Sequence, residues 1–212
     1  MSMTSHLSAL ALATTLALAA TSAIATGAQA AERLVLPPYP AERPWQQVTN
    51  KAAGVQFLWE YVPAGQRLSG YTDFLGAQAF PKGPGQDAVG LIRRVFSNVA
   101  GACDGARVNG PKTAVEGGYP VAYGQVYCGQ EKGKPTGADI FYKVIEGSEA
   151  LYMVHREFRT PPSTTGGVHQ FPKGSEAAAK AFMDARGQAN DYLAKAVYVC
   201  GDRGTDPRCR GR

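Results

Sequence analysis

A-C-D-G-A-R-V-N-G-P-K-T-A-V-E-G-G-Y-P-V-A-Y-G-Q-V-Y-C, residues 102–128, holds a helix end, a hairpin turn, a tyrosine-rich strand and two of the chain's four cysteines. Gly117-Gly118 is a two-residue connection in which both positions tolerate positive φ. Lys112–Glu116 and Tyr119–Cys128 therefore read as the arms of a β-hairpin. A period of two along the second arm puts Tyr119, Val121, Tyr123, Gln125 and Tyr127 on one face. Pro120, Ala122, Gly124, Val126 and Cys128 fall on the other. That second face is small, and small residues let a helix come close.

The candidate for that helix lies immediately upstream. From Asp87, the residues Val89, Ile92, Phe96, Val99 and Cys103 recur on one helical face, which Ala88, Leu91 and Val95 widen. Gly101 and Asp104-Gly105 mark its end, so Cys103 sits at or just past the last turn. Cys128 points toward the same helix. Four cysteines allow three pairings. The shared face favours Cys103–Cys128, leaving Cys200–Cys209 to close a short loop rich in Gly, Asp and Arg. Closing a loop of about 26 residues stabilises by roughly 3 to 4 kcal/mol in the chain-entropy model.

Further out, Val55–Val62 reads as a strand with Val55, Phe57, Trp59 and Tyr61 on one apolar face, preceded by structure from Trp45 and a break over Asn50–Gly54. Tyr71–Phe80 reads as a second strand, ended by Pro81-Lys82-Gly83-Pro84-Gly85. Downstream, Gln130–Thr136 is a polar loop. Asp139–Glu146 and Ala150–Arg159 form a second hairpin around Gly147-Ser148. Ile140, Tyr142 and Val144 face one way and Phe141 and Ile145 the other, as in a strand covered on both sides. Thr160–Lys173 is a long loop, and the best loop candidate for a functional role. A long helix follows from Ser175 to about Val197, with Ala178, Phe182, Ala185, Ala189, Tyr192, Leu193 and Ala196 as its buried stripe. The fold class is α+β: an antiparallel sheet of hairpins covered by helices, with two disulfides.

The ends of the chain read differently. Leu7–Ala25 is uncharged and rich in Leu and Ala. Ala28-Gln29-Ala30-Ala31 is an A-x-A-like cleavage site, so residues 1–31 read as a secretory signal peptide. Residues 32–44, with several prolines, read as an extended linker that spaces the domain, lies along it or docks a partner. Residues 45–200 form a single α/β domain. Residues 201–212 form a disulfide-pinned basic tail, with Arg203, Arg208, Arg210 and Arg212, expected to be solvated and frayed. The 212 residues are 44% hydrophobic and 18% charged, a balance that supports a real core and excludes a disordered chain. The net charge of +5 is mild. Export makes nucleic acid an unexpected partner, and no later stretch is long and apolar enough for a membrane span once the signal is cleaved.

Glu60-Tyr61-Val62-Pro63-Ala64-Gly65-Gln66, followed by Tyr71-Thr72-Asp73-Phe74-Leu75 and Gln78-Ala79-Phe80, resembles a motif of uncharacterised exported bacterial proteins. In that group a Val-Pro-x-Gly-Gln turn precedes an aromatic-Thr-Asp/Glu segment. The Val121–Cys128 strand is similar too, and the likeness covers about residues 45–200. The order strand pair, helix, hairpin, hairpin, long helix resembles the Mog1/PsbP-like α/β/α sandwich. The resemblance implies secretion and fold, and brings no activity with it.

Little in the chain points to chemistry. G-x-S-x-G and H-E-x-x-H are absent, and no cysteines or histidines stand at metal-ligand spacing. No catalytic, cofactor-binding or metal residue is assigned and no cofactor is expected. His169, near Ser163, Thr164 and Thr165, and His155 on a strand are the residues around which a Ser/His hydrolase would have to be built. Tyr119, Tyr123 and Tyr127 are a possible ligand surface, together with His169. Their other reading is the second face of the sheet, covered by the C-terminal helix, which is favoured because a naked apolar sheet face is costly. The sequence therefore reads as a non-enzymatic exported protein, periplasmic or secreted, that binds an envelope protein or a small ligand; the alternative is a secreted hydrolase using His169 or His155.

Overall fold

The computed structural model describes residues 32–40, 44–163, 171 and 173–210. The signal-peptide reading of residues 1–31 lies outside the described residues, as do His169, Thr164 and Thr165 in the long loop and Arg212 in the tail.

The central element is a seven-stranded sheet in the order β2-β3-β4-β8-β7-β6-β5, antiparallel throughout. Its strands are β2 (Trp45–Ala53), β3 (Gln56–Pro63), β4 (Asp73–Pro81), β5 (Cys103–Glu116), β6 (Tyr119–Glu131), β7 (Gly137–Glu146) and β8 (Ala150–Thr160). Two meanders, β2-β3-β4 and β5-β6-β7-β8, are joined by α1 (Ala88–Gly101), which carries the chain to the far edge so that β8 returns beside β4. Asp87 caps α1, its Oδ1 accepting from the Gly90 N–H at 2.5 Å.

α1 buries Ala88, Leu91, Ile92 and Phe96 against Ala122, Val126, Ile140, Tyr142, Val144 and Leu151. The small face of β6 is what admits it. A Cβ at Gly124 would stand 2.2 Å from the Phe96 ring, so the ring lies directly on the glycine. The opposite face carries α2 (Glu176–Asp191) and a π-helical turn (Tyr192–Ala196). Ala189, Tyr192 and Leu193 pack there on Val121, Phe141, Ile145 and Val154. β7 is thus buried on both faces, as the distribution of its apolar residues requires. The result is α+β, helix over sheet over helix.

Both expected disulfides are present. Cys103–Cys128 has a Cα–Cα distance of 5.4 Å and Cys200–Cys209 one of 5.6 Å. Gly117 and Gly118 have φ of 54° and 88°, the turn that the hairpin needed.

Four details differ from the sequence reading, each for a tertiary reason. β2 runs on through Asn50–Ala53 because cross-strand pairing to β3 outweighs the weak strand propensity of Asn, Lys and Ala, and the turn falls at Gly54, φ 59°. β5 begins at Cys103, not Lys112. Gly110-Pro111 is absorbed as a register shift between Asn109 and Lys112, tolerated because β5 is an edge strand. Part of the proline-rich segment belongs to the domain: β1 (Arg33–Val35) pairs with β9 (Tyr198–Cys200), and Leu34 is buried. The tail is folded back instead of frayed. The Thr205 N–H donates to Gly117 O at 2.8 Å, and Arg208 pairs with Asp206 at 2.5 Å with its guanidinium over Tyr198.

Candidate site between α2 and the sheet

The C-terminal half of α2 is pressed onto the sheet, but its N-terminal half stands off. Ala178 is exposed, contrary to the expected stripe, and Phe182 and Ala185 are only half-buried. Between that half and the sheet lies a cavity of about 510 Å³, within the size range of small-molecule sites.

Its floor follows one row across the sheet. Arg107 on β5 pairs with Tyr127 on β6 and Tyr127 with Asp139 on β7, and these three line the cavity; Phe158 on β8, next in the row, is buried beneath Phe182 and does not line it. Directly paired residues point to the same face, so the row is dictated by register alone. Gly129 and Asn109 extend the floor on either side. Ala179, Phe182, Met183 and Arg186 of α2 form the roof, and Thr160, Ser163 and Phe171 close one end. The Phe171 and Phe182 rings lie 5.5 Å apart, and Phe182 meets Phe158 edge-on at 6.0 Å.

Among the described residues, three charged side chains line this cavity, Arg107, Asp139 and Arg186, and the last two meet inside it. Arg186 reaches down from α2 and places Nε 2.7 Å from Asp139 Oδ2. Its Nη2 donates to Tyr127 Oη at 2.5 Å, and its guanidinium lies over the Tyr127, Phe141 and Phe182 rings at 5.2, 5.6 and 5.7 Å. Gln125 Nε2 donates to the other Asp139 oxygen at 2.6 Å. Burial pushes the Asp139 carboxyl up to about 6, the Gln125 bond and the Arg186 charge opposing the shift. The pair fixes α2 over the sheet without closing the space beneath its N-terminal half.

The three tyrosines do not form one platform. Tyr119 is core, 1% exposed. Tyr123 is half-buried, its hydroxyl donating to Glu116. Only Tyr127 lines the cavity. His155 lies apart from it, on the α1 face of β8. Its ring stacks between Phe74 (5.3 Å) and Tyr142 (5.5 Å), lies over Gly76 and leaves Nδ1 without a hydrogen-bond partner among the described residues. Desolvation lowers its pKa to about 4. No serine or carboxylate is bonded to it among the described residues, so His155 is not held as the base of a triad.

Sequence reading missed Arg107, Asp139 and Arg186. One signal was available. Arg186 follows Phe182 by four and precedes Ala189 by three, so a cation falls on the apolar stripe and must find an anion beneath it. Which strand supplies that anion depends on register and is invisible in the sequence.

No protein-family model matches the chain, and no curated protein does. One similar solved structure is the crystal structure of LpqN, involved in cell envelope biogenesis of Mycobacterium tuberculosis. The two chains share 10% identity and align with a TM-score of 0.38 over 83% of this chain and 87% of that one. A likeness at that level carries no argument about function.

Proposed function

We propose that this is an exported, non-catalytic binding or accessory protein of the cell envelope, whose ligand occupies the cavity beneath the N-terminal half of α2. The observation that carries the reading is the cavity itself: an enclosure of about 510 Å³ with an aromatic end, whose deepest charges are already paired with each other. Such a site holds and orients a molecule, and among the described residues none that line it is arranged with a base as a nucleophile. Export draws support from residues 1–31 and from the two disulfides, which persist in oxidising compartments.

The test uses the neutral fluorophore N-phenyl-1-naphthylamine, whose emission rises on entering an apolar site. Saturable binding at one site is expected. Ala179→Phe, which fills the cavity from the roof, should weaken binding by about tenfold or more, as expected when an apolar group loses its enclosure, without lowering Tm. Unchanged binding in Ala179→Phe would place the probe elsewhere and sink the reading.

A further inference from the structure

We infer that the cavity selects an anionic amphiphile, its acidic head held at Arg107 and its chain directed toward Phe171 and Phe182. This rests on the cavity being the binding site and says what that site prefers.

The floor row runs from a cation on β5, through a phenol on β6, to a carboxylate on β7; on the β8 side the lining is Phe182, which packs edge-on over the buried Phe158 of β8, with Phe171 beside it. Adjacent strands are about 4.8 Å apart, so about 14 Å separates Arg107 from Phe158 beneath Phe182. Polarity therefore changes from one side of the cavity to the other over the length of a medium alkyl chain. In the middle, Asp139 and Arg186 cancel each other at 2.7 Å, and the remaining Asp139 oxygen is taken by Gln125. Arg107 has no acidic partner among the described residues and stands exposed at the mouth, with Asn109 beside it as a further donor. Among the described residues the site therefore carries one uncompensated positive charge, placed on the β5 side, across the sheet from Phe182. A carboxylate or phosphate forms charge-assisted hydrogen bonds with a guanidinium in that position, and a cationic head is repelled.

A peptide added to the edge of β5 fits less well. The ladder shifts register between Asn109 and Lys112, and Pro111 offers no N–H, so the edge is interrupted two residues past Arg107.

The experiment is displacement of N-phenyl-1-naphthylamine from the folded, disulfide-bonded protein by four ten-carbon competitors: decanoate, decyl phosphate, decanol and decyltrimethylammonium. Decanoate or decyl phosphate should displace the probe at about tenfold lower concentration than decanol, as a charge-assisted contact allows, and the cation should be weakest. The two acids separate a carboxylate ligand from a phosphate ligand. Arg107→Gln should abolish the preference for the acids, read as the ratio of acid to decanol displacement within that variant, and Arg107→Glu should reverse it. Arg107 is an exposed edge residue, and an unchanged Tm will show that both variants fold. Equal displacement by decanoate, decyl phosphate and decanol, or an acid preference that survives in Arg107→Gln, overturns the inference. If the probe binds and Ala179→Phe weakens it but no acid preference is seen, this inference falls and the binding-module reading stands. If Ala179→Phe has no effect, both fall.

Discussion

Lys143 donates to three acceptors from full burial: Glu116 Oε2 at 2.7 Å, Leu193 O at 2.8 Å and Val197 O at 2.7 Å. Two of these are main-chain carbonyls around the π-helical turn where α2 ends, so the ammonium does the work of a C-cap from a strand beneath it. Burial lowers its pKa, and the Glu116 carboxylate opposes the shift. Lys143→Ala removes all three donors and leaves buried acceptors unmet. We expect it to cost about 3 to 5 kcal/mol in urea denaturation, as for breaking a buried pair. Glu116→Gln should cost less, because the Glu116 side chain is 32% exposed and water can replace it. His155 makes a second prediction. Its pKa is lowered from 6.5 to about 4, so the folded state resists the proton that the unfolded chain accepts. Its contribution to stability is present above pH 6.5 and is lost as pH falls toward 4. Asp139, raised from 3.8 to about 6, acts in the opposite sense, its contribution falling as pH rises through that interval. The two effects separate by substitution: His155→Leu should remove the loss of stability between pH 6.5 and 4. An unchanged pH profile in that variant would show that His155 titrates normally.

Among the elements, β1 shows how a segment that resembles a spacer becomes structural. Three residues, Arg33–Val35, pair with β9 and bring Leu34 into the core. Just before them, the Glu32 carboxylate accepts from the Ser148 N–H at 2.8 Å and so closes the turn between β7 and β8. Just after them, Pro37 O accepts from Tyr192 Oη at 2.5 Å and Tyr39 covers the Arg156 guanidinium at 4.7 Å. The segment therefore fastens the C-terminal end of α2 to the sheet. Leu34→Asp should lower stability by about 3 kcal/mol or more, because it places a charge in the core without a partner. Hydrogen exchange should then rise in β9 and the π-helical turn while β5 and β6 stay protected. Exchange confined to residues 33–35 would mean that the clip carries no load. At the other end, the Cys200–Cys209 link and the Asp206–Arg208 pair hold the tail against the Gly117-Gly118 turn, where a Cβ at Gly118 would stand 2.3 Å from Arg203 O. That turn's glycines are required twice, by φ and by the tail lying on them.

For the molecule as a whole, the strands formed by local pattern could have been assembled in more than one order. The placement of β8 between β4 and β7 comes from the crossover of α1, which sends the first arm of the second meander to the far edge. This order gives each helix its own half of the problem. α1 covers the small face of β6 with β5 and β7, and α2 with its π-helical turn covers the opposite face. Because the end of α2 is held by Lys143 and by the N-terminal segment, its beginning can stand off the sheet without loosening the core. The cavity is a consequence of that asymmetry, and it lies over the ends of β5, β6, β7 and β8, four strands from both meander arms of the second half.

Periodicity and turn chemistry alone determined most of the local structure. The α1 face, the Gly117-Gly118 hairpin, the two-sided burial of β7 and both cysteine pairings follow from interactions that short spacings express: helical repeat, alternation, φ tolerance and a shared face. The candidate site was only partly legible. Tyr127 was among the residues singled out, but its tyrosine neighbours went into the core and beside Glu116. Asp139, Arg186 and Arg107 became a set only through register and through α2 crossing above them. β1 depended likewise on a partner more than 160 residues away. Sequence expresses what a residue does with its near neighbours. Which distant side chains share one enclosure, and which charge there is left without a partner, is decided when the sheet closes and the last helix is fastened across it.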